Sequence, residues 1–115
     1  AVIDESVKLG LINLPGVLTP TEAFMALEHG AHGLKIFPAE LASPAVVKAL
    51  LAVLPKGTGI YPVGGISPDN MAPWLQAGAA GFGIGSSLFK PGKTAAQVGV
   101  DAQAFAGNYR ALRKA

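Results

Sequence analysis

Three hydroxyl–proline pairs, Thr19-Pro20, Ser43-Pro44 and Ser67-Pro68, recur at intervals of 24 residues. That spacing constrains the fold more than any other feature of the chain. A Ser or Thr before a proline marks a helix start. The hydroxyl caps a free backbone N–H, and proline at the first helical position gives up an N–H that has no intrahelical acceptor. Glu22, three residues after Thr19, completes a capping box. The segments that follow, EAFMALEHG, AVVKALLAVLP and DNMAPWLQAG, read as helices, and Gly30, Pro55 and Gly78 end or follow them.

Before each helix start lies a short apolar run: GLINLPGV, GLKIFPAE and GIYPVGGI. A fourth, GFGIGSSLF, precedes a last helical stretch from about Thr94. Short apolar runs alternating with helices predict parallel strands joined by crossover helices. The expected fold is α/β, with four consecutive βα units in a single partial domain over residues 1–115.

Four units form either an open sheet or half of an eight-fold βα barrel. The glycines favour the barrel. The third run ends in Gly64-Gly65 and the fourth in GIGSS, residues 83–87. Barrels that handle phosphorylated substrates bind the phosphate with the loops after strands seven and eight. Glycines let backbone N–H groups approach an anion, and a helix N-terminus adds a favourable dipole. Tight turns are the plainer reading of the same glycines. GFGIGSS does not meet the dinucleotide fingerprint well. With these ends assigned to strands seven and eight, Lys35 falls on strand six. Four units cannot close a barrel, and both outer strands would keep unpaired edges. The chain opens AVIDESVKLG, without Met, as if a helix were already under way. It is expected to be a C-terminal half-barrel that needs an N-terminal half.

Composition narrows the class. Apolar residues make up 50% and charged residues 14%, so a buried core is feasible. The net charge of +2 comes mostly from YRALRKA, a basic helix end, and gives no reason to expect a nucleic-acid or membrane partner. The absence of cysteine excludes disulfides and thiolate metal sites. No membrane-length apolar run and no signal peptide is present, and a soluble, cytoplasmic protein is expected.

In GLKIFPAE a lysine sits within a strand. Side chains alternate between faces, so Leu34 and Ile36 share the face under the helices. Lys35 and Phe37 share the other, which is the interior of a barrel. A lysine against an aromatic ring in a poorly hydrated interior loses solvation of its charged form, which favours the neutral, nucleophilic amine. Pairing with a carboxylate, or reaching solvent at the strand end, accounts for such a lysine equally well.

LKIFPAE, then PVGGISPDN, then GIGSSLF resembles the class I 2-keto-3-deoxy-6-phosphogluconate and 6-phosphogalactonate aldolases in order and spacing. LPGVLTPTEA is similar to the same family's PG…T…E segment. The resemblance implies that Lys35 forms the Schiff base and that Gly64, Gly65, Gly85 and Ser86 bind the substrate phosphate. It also implies that Pro15 and Phe37 line the pocket. The residue before the double glycine is threonine in the gluconate-type enzymes and valine in the galactonate type; here it is Val63. That position and ASPAVVKALLAVLP favour 2-dehydro-3-deoxy-6-phosphogalactonate as substrate.

The implied reaction is a reversible aldol cleavage to pyruvate and glyceraldehyde 3-phosphate, with neither metal nor cofactor. The family's base is a glutamate from an early strand, with an arginine near it, and neither has a counterpart here. Glu40 is the acid at the C-terminal end of a strand, where barrel chemistry occurs, and is a candidate for proton transfer or loop support. His29 and His32 read as helix-end residues and Trp74 as packing. The resemblance also implies a homotrimer. Competing readings are a gluconate or 4-hydroxy-2-oxoglutarate aldolase, a non-catalytic phosphate-binding half-barrel with Lys35 as a charge partner, and an acid–base isomerase on a phosphate-binding barrel.

Overall fold

A computed structural model describes residues 1–114. Its first helix, α1 (Val2–Lys8), ends at Leu9, and Gly10 turns the chain at φ 70°. The next apolar run contributes only a two-residue strand, β1 (Gly16–Val17). Pro15 sits just ahead of it and has no N–H to give to a ladder. Thr19 then opens α2 (Pro20–Glu28): its hydroxyl accepts from the Glu22 N–H at 3.2 Å. The Glu22 carboxylate accepts from the N–H groups of Leu18 and Thr19, each at 2.9 Å. These two bonds, together with the Thr19 hydroxyl, hold the Glu22 carboxyl below the usual carboxylate range. Such a cap is worth about 1 kcal/mol.

The second unit runs through β2 (Leu34–Ile36), a 3-10 turn (Ala39–Leu41) and α3 (Pro44–Val53). The third runs through β3 (Ile60–Pro62), a 3-10 turn (Pro68–Asn70) and α4 (Met71–Gln76). Here the hydroxyl–proline pair starts a 3-10 turn rather than the α-helix itself. Asn70 closes it, accepting from the Ser67 N–H at 3.0 Å and donating to the Gly65 carbonyl at 2.8 Å.

The strands are parallel in the order β1-β2-β3. Gly16 pairs with Lys35, and Lys35 with Tyr61. The fourth apolar run adds one parallel bridge, Val63 to Gly83, rather than a full strand. The reason lies in its composition. Gly81, Gly83 and Gly85 alternate along it, and glycine loses backbone entropy without packing in return. The chain then enters α5 (Ala95–Lys114), where Thr94 and Gln97 cap each other reciprocally at 2.9 and 3.2 Å.

Leu34, Ile36, Ile60 and Val47 are fully buried, and Ala23, Leu50, Met71, Trp74 and Phe105 extend the core beneath the helices. Each large aliphatic side chain there stabilises the fold by about 1.5–3 kcal/mol. The α5 helix is also pinned by polar contacts: Tyr109 donates to the Ala80 carbonyl at 3.1 Å, and Asn108 donates to the Pro68 carbonyl. Among the described residues no helix is long and apolar enough to cross a membrane.

Candidate active site

The central strand places the lysine. Leu34 and Ile36 point into the core, so alternation turns Lys35 to the opposite face of the sheet, where it is only partly covered. Its N–H donates to the Pro15 carbonyl at 2.9 Å. Neighbouring strands shape the space around its side chain. Gly16 is in register with Lys35, and the lysine stem lies across it. A methyl at Gly16 would stand 3.2 Å from Lys35 Cε and 3.9 Å from Nζ. Phe37, two residues on, is half exposed, with its ring centre 4.9 Å from Nζ, which is cation–π range.

A concavity of about 290 Å³ opens on this face, lined by Leu14, Lys35, Tyr61, Val63, Phe82, Gly83, Ile84 and Gly85. Among the described residues, Lys35 is the only ionisable side chain of the Lys/Arg/Asp/Glu type in that otherwise mostly apolar lining. Val63 packs against Gly83, where a methyl would stand 2.6 Å from Val63 Cγ2. The flank of the concavity at Val63 is thus set by these two residues. A larger hollow of about 450 Å³ runs along α5 beside Lys93 and Asp101, away from Lys35.

Tyr61 was not singled out from the sequence. Its ring fills the inner face between Gly33, Gly59 and Gly81, where added methyls would approach within 3.0, 3.1 and 3.2 Å. These three glycines open the second, third and fourth apolar runs. Their shared position was the signal that one bulky inward side chain needed room.

The two glycine-rich ends are adjacent. Gly64 and Gly65 have φ of 108° and 68°, a conformation that penalises other residues. Glu40 folds over them: methyls at Gly64 and Gly65 would collide with its carboxylate and, at 2.9 Å, with its Cγ. Glu40 is therefore set against the double glycine and is not part of the lining around Lys35. Beyond Gly83, residues 85–89 make one helical turn, with the Gly85 carbonyl accepting from Leu88 and Phe89 at 2.9 and 3.0 Å. The hydroxyl pair divides its work. Ser87 donates to the Ile66 carbonyl at 2.8 Å, tying this turn to the segment after the double glycine, while Ser86 is exposed.

Pro15 is absent from this lining, and the histidines and tryptophan take the helix-end, loop and packing positions expected of them. Pro15 borders a separate hollow of about 350 Å³ under α1 and α2. His29 ends α2 and contacts Asp4 at 2.7 Å, and His32 Nδ1 accepts the Asn13 N–H at 3.2 Å, so both occupy helix-end or loop positions away from Lys35. Trp74 is buried packing.

Fold and site together define a class: an α/β protein of parallel strands with a lysine on its central strand and two adjacent glycine-rich turns. The chain belongs to the KDPG and KHG aldolase family, whose model matches residues 1–104. It is 46% identical over 109 residues to 2-dehydro-3-deoxy-6-phosphogalactonate aldolase of Escherichia coli K12, covering 95% of this chain and 53% of that protein. It is 47% identical over 98 residues to a probable 2-dehydro-3-deoxy-6-phosphogalactonate aldolase of Rhizobium meliloti, covering 85% and 46%. A solved structure described as native KDPGal superposes with a TM-score of 0.97 at 44% identity, covering 99% of this chain and 55% of the other. The chain thus spans about half the length of the curated relatives it matches.

Proposed function

We propose that this chain supplies the last four βα units of a (β/α)8 barrel and that the complete barrel is a class I aldolase cleaving 2-dehydro-3-deoxy-6-phosphogalactonate. The observation that carries this reading is Lys35. It stands on the inner face of the central strand, beside Phe37 and over Gly16, at the wall of an otherwise uncharged concavity.

In the proposed reaction the neutral Lys35 amine attacks the C2 ketone, forming a carbinolamine that loses water to give an iminium. The cation draws electrons from the C3–C4 bond. As a base takes the C4 hydroxyl proton, that bond breaks, glyceraldehyde 3-phosphate leaves, and an enamine of pyruvate remains on the lysine. Protonation at C3 and addition of water release pyruvate and restore the amine. The base and the carboxylate-binding arginine belong to the complementary half. Gly64, Gly65, Gly85 and Ser86 take the phosphate, supported by their adjacency on one side of the sheet. Pro15 acts through its carbonyl, which fixes Lys35, and Phe37 covers the amine. Glu40 supports the double-glycine loop. Val63 sets the epimer preference, as its place in the lining supports, and the names of the two curated relatives favour the galactonate substrate. The complete enzyme assembles as a homotrimer, as the family resemblance implies, and works in the cytoplasm.

Borohydride reduction with pyruvate tests the nucleophile. The full-length protein gains a covalent adduct on Lys35, and Lys35→Met gains none. An unmodified Lys35 in the full-length protein overturns the reading and leaves the phosphate-binding alternative.

A further inference from the structure

Lys93 lies outside the concavity around Lys35, yet its ammonium reaches back to the turn that carries Ser86. Nζ donates to the carbonyl oxygens of Leu88 at 3.2 Å and Ser87 at 3.3 Å, and to Asp101 Oδ2 at 2.7 Å. An ammonium has three N–H donors and no acceptor, so these contacts use its full capacity. Lys93 is left without a donor for a ligand, and any part it has in recognition passes through the turn. The two carbonyls sit at the C-terminal end of the helical turn at residues 85–89, where such groups lack partners within the turn and a cation is favourable. The contact is partly shielded, with the Lys93 side chain 27% exposed. Asp101 lies in the second turn of α5, so the bond carries the turn onto a long helix. From the other side Ser87 fastens the same turn to the Ile66 carbonyl.

We infer that Lys93 is a positioning residue for phosphate recognition. Anchored by Asp101, it holds the 85–89 turn so that Gly85 and Ser86 keep a fixed spacing from Gly64-Gly65. The inference rests on the phosphate-binding reading of these two strand ends and names residues that reading does not use.

The test uses the full-length protein with Lys93→Met, Lys93→Arg and Asp101→Asn, and inorganic phosphate as the probe. In Lys93→Met, KM for the phosphorylated substrate and the inhibition constant of inorganic phosphate rise about tenfold, the effect of losing one charge-assisted anchor. Asp101→Asn, which keeps the lysine and removes its tether, gives a smaller rise, and Lys93→Arg recovers most of the loss. Trapping of pyruvate, which carries no phosphate, stays within about twofold because Lys35 is untouched. Unchanged KM and phosphate inhibition in Lys93→Met overturn the inference. So does an equal loss of pyruvate trapping, which would mark a general folding role. If the unsubstituted protein traps no pyruvate, the aldolase reading fails on its own. Calorimetric affinity for inorganic phosphate then decides: tenfold weaker binding to Lys93→Met supports the inference, and equal binding ends it.

Discussion

At Gly16 the absence of a side chain is what gives Lys35 its path. The φ there is not in the left-handed region, so alanine suits the backbone, and the conflict is with the lysine stem alone. Gly16→Ala is expected to leave thermal stability within about 1 kcal/mol of the parent. It displaces the amine by a fraction of its bond length, and misplacement on that scale costs between about tenfold and a hundredfold in turnover. The rate of borohydride trapping with pyruvate measures this directly; an unchanged rate means the stem has another route. Val63→Thr is nearly isosteric but brings a hydroxyl into the lining of the concavity. A new hydrogen bond to one C4 epimer shifts the ratio of kcat/KM values toward the gluconate substrate by about tenfold. Equal preference before and after removes Val63 from the account of specificity. Lys35 and Val63 were visible in the sequence because the motifs that carry them are continuous stretches of chain, whereas Gly16 was not singled out there. Nor were Tyr61 and Lys93, since their roles depend on a ring meeting three strand-opening glycines and on an ammonium turning back onto carbonyls.

Among the elements, the helix starts were the most legible. Proline acts at these starts through its own covalent geometry, largely independently of the rest of the fold; Thr19 adds the expected hydroxyl cap, whereas Ser43 makes no side-chain cap bond. Strands depend on neighbours. GLKIFPAE became the central strand, bonded on both sides, whereas GFGIGSSLF kept one bridging residue beside a glycine-rich edge. A run of apolar residues cannot announce how many partners it will find. The first helix shows a different dependence. In the 115-residue chain Asp4 accepts from the Ala1 ammonium and from His29, each at 2.7 Å, and these bonds lower its carboxyl to about 2 from 3.8. A carboxyl depressed on folding stabilises the folded state above its unfolded value and loses that contribution as protons return to it. The seating of α1 against α2 is therefore expected to weaken as the pH falls from about 3.8 to about 2. Circular dichroism melts across that range check it. Asp4→Asn flattens the dependence, and a variant that keeps the full pH response shows that other carboxylates are responsible.

For the whole molecule the decisive property is openness. The β1 edge and the Gly83 segment each have neighbours on one side only, and the inner face presents Leu14, Tyr61 and Phe82 around Lys35. Among the described residues no acid lines that space. The purified 115-residue chain is accordingly expected to release pyruvate from the phosphorylated substrate at a negligible rate. Addition of the complementary half-barrel restores turnover. Pyruvate release by the chain alone at a rate near that of the complete enzyme would overturn both the half-barrel reading and the assignment of the base to the other half.

The position of β2 between two partners carries one more consequence. Its backbone is bonded from Leu34 to Gly59 at 2.8 Å, from Lys35 to Pro15 at 2.9 Å and from Val63 to Ile36 at 2.9 Å. Local opening must break both sides at once, so its amides should exchange with deuterium more slowly than those of the Gly81–Gly85 margin. Lys35 thus rides on the part of the sheet expected to breathe least. Thermal wandering of its Cα is restrained before any substrate arrives, and what freedom the amine keeps resides in its own methylene chain.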